Sequence, residues 1–150
     1  MISPEILRRY PFFAGLDDAF LTALAMISDE VVLADGVWLF HEEDSADAFY
    51  LVLRGTIQLR ARLPRNAYAD LDQLVEGDIV GWSAICKPAV YTLGAYTPTG
   101  ARLIRFEGAA MRKLMEERPE MGYVLMCRVA QEIGNRLADL RNRFVSIATP

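Results

Sequence analysis

A chain of 150 residues, 53% apolar and with a formal net charge of -4, is long enough for one domain with its own core and too apolar to be disordered. Its acidic balance argues against a nucleic-acid surface, and no apolar run forms a signal core or reaches membrane-spanning length. The single histidine excludes a several-histidine metal centre, and two distant cysteines, Cys86 and Cys127, give neither a disulfide framework nor a zinc spacing and point to a reducing cytoplasm.

Ser3 as a cap and Pro4 in the first position predict a short helix to Arg9. A turn at Ala14-Gly15 precedes a second helix, in which Phe20, Leu21, Leu24 and Ile27 recur at helical spacing. From Glu30 the period shortens towards two. In EVVLADGVWLF the dipeptide Asp35-Gly36 predicts a tight hairpin turn. His41 reads as a solvated residue at a strand end. In AFYLVLRGTIQLRARL, Phe49, Leu51 and Leu53 alternate with Tyr50 and Val52. After Gly55, the residues Ile57, Leu59 and Leu63 alternate with Gln58, Arg60 and Arg62. PRNAYAD predicts a loop, LDQLVEGDIVG a short strand ending at Gly77, and YTLGAYTPTGARLIRF two strands around Pro98 and Gly100. Several short strands with regular turn signals predict a small barrel or jelly roll.

After Glu107 the period returns to helical. GAAMRKLMEER predicts one helix, and Pro119 marks a restart, since proline fits a first turn but not a helix interior. The segment from Pro119 to Ile147 predicts one long helix. Its apolar stripe is Met121, Leu125, Val129, Ile133, Leu137, Leu140, Phe144 and Ile147, close to a coiled-coil seam. The expected fold is α+β: a single domain over 1–150, with N-terminal helices in 1–29, a β-roll (a double-stranded jelly-roll barrel) in 30–106 and C-terminal helices in 107–150.

This order, with LRRYPFFAGLDDAFLTAL, DAFYLVLRGTIQL and EGDIVGWSAI, resembles the cyclic-nucleotide-binding domain of the bacterial catabolite-activator and oxygen-regulator superfamily. The resemblance covers nearly the whole chain. It implies a phosphate-binding cassette in which backbone N–H groups of a one-turn helix meet the cyclic phosphate. An arginine adds a charged fork, and a glutamate after the second glycine accepts from the ribose 2′-hydroxyl. The cradle so implied is Gly81, Trp82, Ser83, Ala84, Ile85, Lys87, Tyr91 and Thr92.

Several of these positions depart from the pattern. The Gly-Asp turn is kept as Gly77-Asp78 and the second glycine as Gly81, but the glutamate position holds Trp82 and the arginine position Tyr91. Upstream, the family's Gly-Asp reads Glu43-Asp44. An indole donates one hydrogen bond and accepts none, and a phenol carries no positive charge at neutral pH. A hydrogen bond to a charged group contributes roughly 1.5–3 kcal/mol, so losing two weakens binding on the order of 10²–10⁴-fold. Lys87 offers a point charge in the same loop, or is a solvated lysine. Three readings stand: Trp82 and Tyr91 plug the pocket, retune it for an apolar or aromatic ligand, or leave nucleotide binding in place.

The expected function is a non-enzymatic ligand-sensing or regulatory module, with no cofactor, no metal site and no catalytic residues. Alternatives are a ligand-free dimerisation module and the sensory part of a transcription regulator cut before its helix-turn-helix. The expected partner is a second copy, bound through Leu125, Val129, Ile133, Leu137, Leu140 and Phe144, with an unidentified small molecule as possible ligand. Arg128, Arg136, Arg141 and Arg143 read as a solvated, salt-paired face, and no direct nucleic-acid or membrane contact is expected of this chain.

Overall fold

The computed structural model describes residues 1–149. Helix α1, Pro4–Arg8, is capped by Ser3, whose side chain accepts from the Glu5 N–H. A 3₁₀ turn, Pro11–Phe13, leads to α2, Asp18–Met26. Asp17 caps α2 by accepting from the Phe20 N–H at 2.8 Å.

Eight strands follow: β1 Ser28–Leu33, β2 Val37–Phe40, β3 Ala48–Gly55, β4 Ile57–Leu63, β5 Ala67–Leu74, β6 Ile79–Val80, β7 Gly94–Thr97 and β8 Ala101–Glu107. They form two antiparallel four-stranded sheets, ordered β1-β8-β3-β6 and β2-β7-β4-β5. The expected β-roll is thus present. The Asp35-Gly36 hairpin is not. β1 pairs with β8 and β2 with β7, so that turn carries the chain from one sheet to the other. The left-handed backbone at Gly36, φ 72°, makes the tight corner, but the tertiary partner decides which strand is met next. PRNAYAD is also shorter as a loop than expected. Pro64–Asn66 turns the chain, and Ala67 already pairs with Leu63 as β5 begins. That strand ends at Leu74, and Gly77 lies in the turn beyond it.

β3 is buried on both faces, which explains its continuous apolar run. Phe49 stacks on Phe12 at 5.8 Å and lies 6.1 Å from Phe106, on the helical side. Tyr50 points the other way, 6.3 Å from Phe40 in the opposite sheet. At Gly55 a Cβ would stand 2.3 Å from the Gly100 carbonyl oxygen, so only glycine lets the β3–β4 and β7–β8 corners touch.

Helix α3, Gly108–Glu117, is capped by Glu107, and α4, Pro119–Ala148, follows without a gap longer than Arg118. At 1.5 Å per residue α4 is about 45 Å long. Its stripe divides. Leu125 and Val129 are fully buried in the protomer's own core, so they do not belong to an exposed seam as the sequence suggested. Ile133 and Leu140 are half-buried, while Leu137, Phe144 and Ile147 are exposed. Among the described residues no helix is long and apolar enough to cross a membrane.

Candidate ligand cradle

The cradle begins at the Gly77-Asp78 turn. The Asp78 carboxylate accepts from the Val75 N–H at 2.8 Å, and the Gly77 N–H donates to the Val52 carbonyl at 2.9 Å. These bonds clip the turn to β3 and present β6. Gly81 then takes a left-handed backbone, φ 79°, where a Cβ would meet the Ala48 carbonyl at 3.0 Å and the Tyr91 ring at 3.1 Å. Trp82–Ile85 closes a single 3₁₀ turn. Ala84 and Ile85 are buried, and the Ala84 carbonyl accepts from Arg112 of α3.

Tyr91 is held on every side. Its ring lies flat on Phe40, with centroids 3.6 Å apart and planes 8° from parallel. Its hydroxyl donates to the Ala48 carbonyl at 2.6 Å and accepts from the Ala48 N–H at 3.3 Å. Burial pushes the phenol well above its ordinary pKa, so it stays neutral. The hydroxyl is committed to backbone and not offered to an anion. The Tyr91 backbone N–H and carbonyl are bonded in turn to Asp44 and Glu43. Glu43 keeps a left-handed backbone, φ 73°, where the resemblance leads one to expect glycine; the turn survives the substitution at a local cost of roughly 1–2 kcal/mol.

Gly81, Trp82, Ser83, Tyr91 and Thr92 border one cavity of about 40 Å³. Ala84, Ile85 and Lys87 do not. Lys87 is exposed and lines, with Trp82, Ser83, Pro88, Val90 and Thr92, an open hollow of about 390 Å³. The sequence reading missed Phe40, Leu59, Leu93 and Arg136 in the cavity wall.

Arg136 corrects the reading of a solvated arginine face. Its side chain, only 15% exposed, leaves α4, donates to the Ile79 carbonyl and enters the cavity wall. Its Nε lies 4.0 Å from Asp72 Oδ2. Burial is the largest influence and lowers its pKa below the ordinary guanidinium value, opposed by Asp72, Asp78 and Glu132. A signal was available: Arg136 stands at i+7 from the buried Val129 and therefore on the same face of α4. Of its companions, Arg128 donates to the Ala14 carbonyl at 3.2 Å, and Arg141 and Arg143 are exposed with no ion pair among the described residues. His41 is exposed just beyond β2, as expected, with its ring 4.7 Å from that of Trp38.

The sequence model for the cyclic nucleotide-binding domain matches residues 30–118, the roll and α3. The chain belongs to the cyclic nucleotide-binding domain family. A solved Geobacter metallireducens GS-15 protein, provisionally described as cyclic nucleotide-binding, is 36% identical with a TM-score of 0.80; the match covers 91% of this chain and 99% of that one. The N-terminal domain of a transcriptional regulator from Streptomyces coelicolor A3(2) is 28% identical with a TM-score of 0.70, over 90% of this chain and 94% of that one. A CRP-like cAMP-activated global transcriptional regulator of Mycobacterium tuberculosis is 28% identical over 139 residues. That match takes in 91% of this chain but 62% of the regulator, so this cyclic nucleotide-binding domain spans less than two-thirds of that relative's length. The family is regulatory, and its relatives include transcription regulators.

Proposed function

We propose that this domain is a non-enzymatic sensory module whose cradle does not take cyclic AMP or cyclic GMP in the family's usual way. The observation that carries this reading is the seat of Tyr91. Its ring fills the space beside Gly81, its hydroxyl is spent on Ala48, and about 40 Å³ is left. Ligand pockets are typically about 300–1,000 Å³, a range that the adjoining open hollow reaches and the cavity against Tyr91 does not. Neither Trp82 nor Tyr91 supplies a carboxylate or a positive charge. Occupancy of the Gly81–Ile85 cradle by another small molecule shifts the roll against α4, and a partner reads the shift. The exposed half of α4 supports a second copy as that partner, with Leu137, Leu140 and Phe144 continuing the buried stripe beyond the roll. The reducing cytoplasm suggested by the two free thiols is its compartment.

Calorimetric titration with both nucleotides tests the cradle. The parent protein is expected to give no saturable heat, while a Trp82→Glu/Tyr91→Arg double variant gains about 10²-fold or more in affinity. Tight binding by the parent sinks the proposal.

A further inference from the structure

The cavity is too small for a nucleotide, but its chemistry is specific. Arg136 is a largely buried guanidinium whose nearest carboxylate, Asp72, stands 4.0 Å from Nε, with Asp78 and Glu132 also nearby. Those three carboxylates line, together with Asp139, a separate cleft that Arg136 also borders, and none of them borders the cavity. The guanidinium uses one donor on the Ile79 carbonyl, and it has four more. Ser83, 6% exposed, borders the same cavity, and among the described residues its hydroxyl has no hydrogen-bond partner. The hydroxyl is reached by solvent, so it is free to donate to a small ligand. Thr92 adds a second hydroxyl at the rim. A volume of about 40 Å³ holds roughly three waters, which is room for one small ion.

We propose that this cavity binds a small planar oxyanion, of the size of formate, nitrate or bicarbonate, with Arg136 as its charged fork and Ser83 and Thr92 as hydroxyl donors. A planar guanidinium matches a planar oxyanion through two parallel N–H···O bonds. The anion takes donors that the Ile79 bond leaves free and so ties the Trp82–Ile85 turn to α4. The inference rests on the reading that the cradle serves a ligand other than a cyclic nucleotide.

The test titrates the protein with sodium formate and sodium nitrate against sodium gluconate at equal ionic strength. Gluconate carries the same charge on a body too large for the cavity. Thermal unfolding should show a saturable rise of about 2–4 °C with formate and nitrate only. Ser83→Ala should weaken the apparent affinity about tenfold, Arg136→Gln should abolish the response, and Arg141→Gln should leave it unchanged. A Trp38→Phe protein, with Trp82 as its one tryptophan, gives a second readout by fluorescence with formate, which serves if Arg136→Gln does not fold. No saturable change in either readout overturns the inference, as does an unaltered response in Ser83→Ala. Cyclic AMP and cyclic GMP run in the same assay separate the two readings. Nucleotide binding by the parent sinks the sensory reading beneath this one, whereas silence to anions and nucleotides alike sinks the anion site alone.

Discussion

Tyr91 links two strands through its side chain and a turn through its backbone. Its ring covers Phe40 of β2, its hydroxyl both donates to and accepts from Ala48 of β3, and its backbone pairs with the Glu43-Asp44 turn. Tyr91→Phe keeps the ring contact and strands a buried carbonyl and N–H. That should cost about 1–3 kcal/mol, read as a lower urea midpoint with an unchanged slope. A wild-type midpoint would mean the hydroxyl is not held as described. Trp82 and Tyr91 were legible as substitutions because the residues around them, Gly77, Asp78 and Gly81, keep their spacing. Where the phenol would point was not legible. That depends on Ala48, which is 43 residues away in the chain. Arg136 was hidden differently. Its charge suggested solvent, while its place in the helical period put it against the roll.

At the scale of elements, Arg118 fastens the helical layer. Sitting between α3 and α4, it pairs with Asp17 at the start of α2 and with Glu120 in the first turn of α4, both at 2.5 Å. The guanidinium holds both carboxyls below the ordinary carboxylate range, and for Asp17 the Phe20 N–H adds to the effect. Because the folded-state values lie below the unfolded ones, this stabilisation is present at neutral pH. It is lost as pH falls below about 4 and through the folded-state values. Urea midpoints measured from pH 7 to pH 3 should fall more steeply for the parent than for Arg118→Gln; parallel curves would remove the clasp from the account. Ser3-Pro4 and Pro119 carry recognisable local signals, so those helix starts were readable from sequence, whereas the Asp17 cap of α2 was not read. The Asp35-Gly36 corner was not, because a dipeptide fixes the turn and leaves open which strand lies across from it.

For the whole molecule, the division of α4 decides where a second copy can bind. Leu125 and Val129 are already spent on the core, whereas Leu137, Phe144 and Ile147 are 66%, 70% and 85% exposed. The proposed seam would therefore start near Ile133 and run outward. Leu137→Asp together with Phe144→Asp should give a monomer with unchanged far-ultraviolet dichroism, and sedimentation equilibrium should find the parent dimeric at roughly ten-micromolar concentration. A monomeric parent would leave the outer half of α4 without this role.

The strand order has a kinetic corollary. Among the described residues only β4 and β5 are neighbours both along the chain and within a sheet; every other ladder joins segments separated by at least one intervening strand. That hairpin can zip up in about microseconds, but the remaining ladders must each close a long stretch of chain first. Folding is therefore limited by those long-range closures, through which the two ends of the roll meet, rather than by the hairpin.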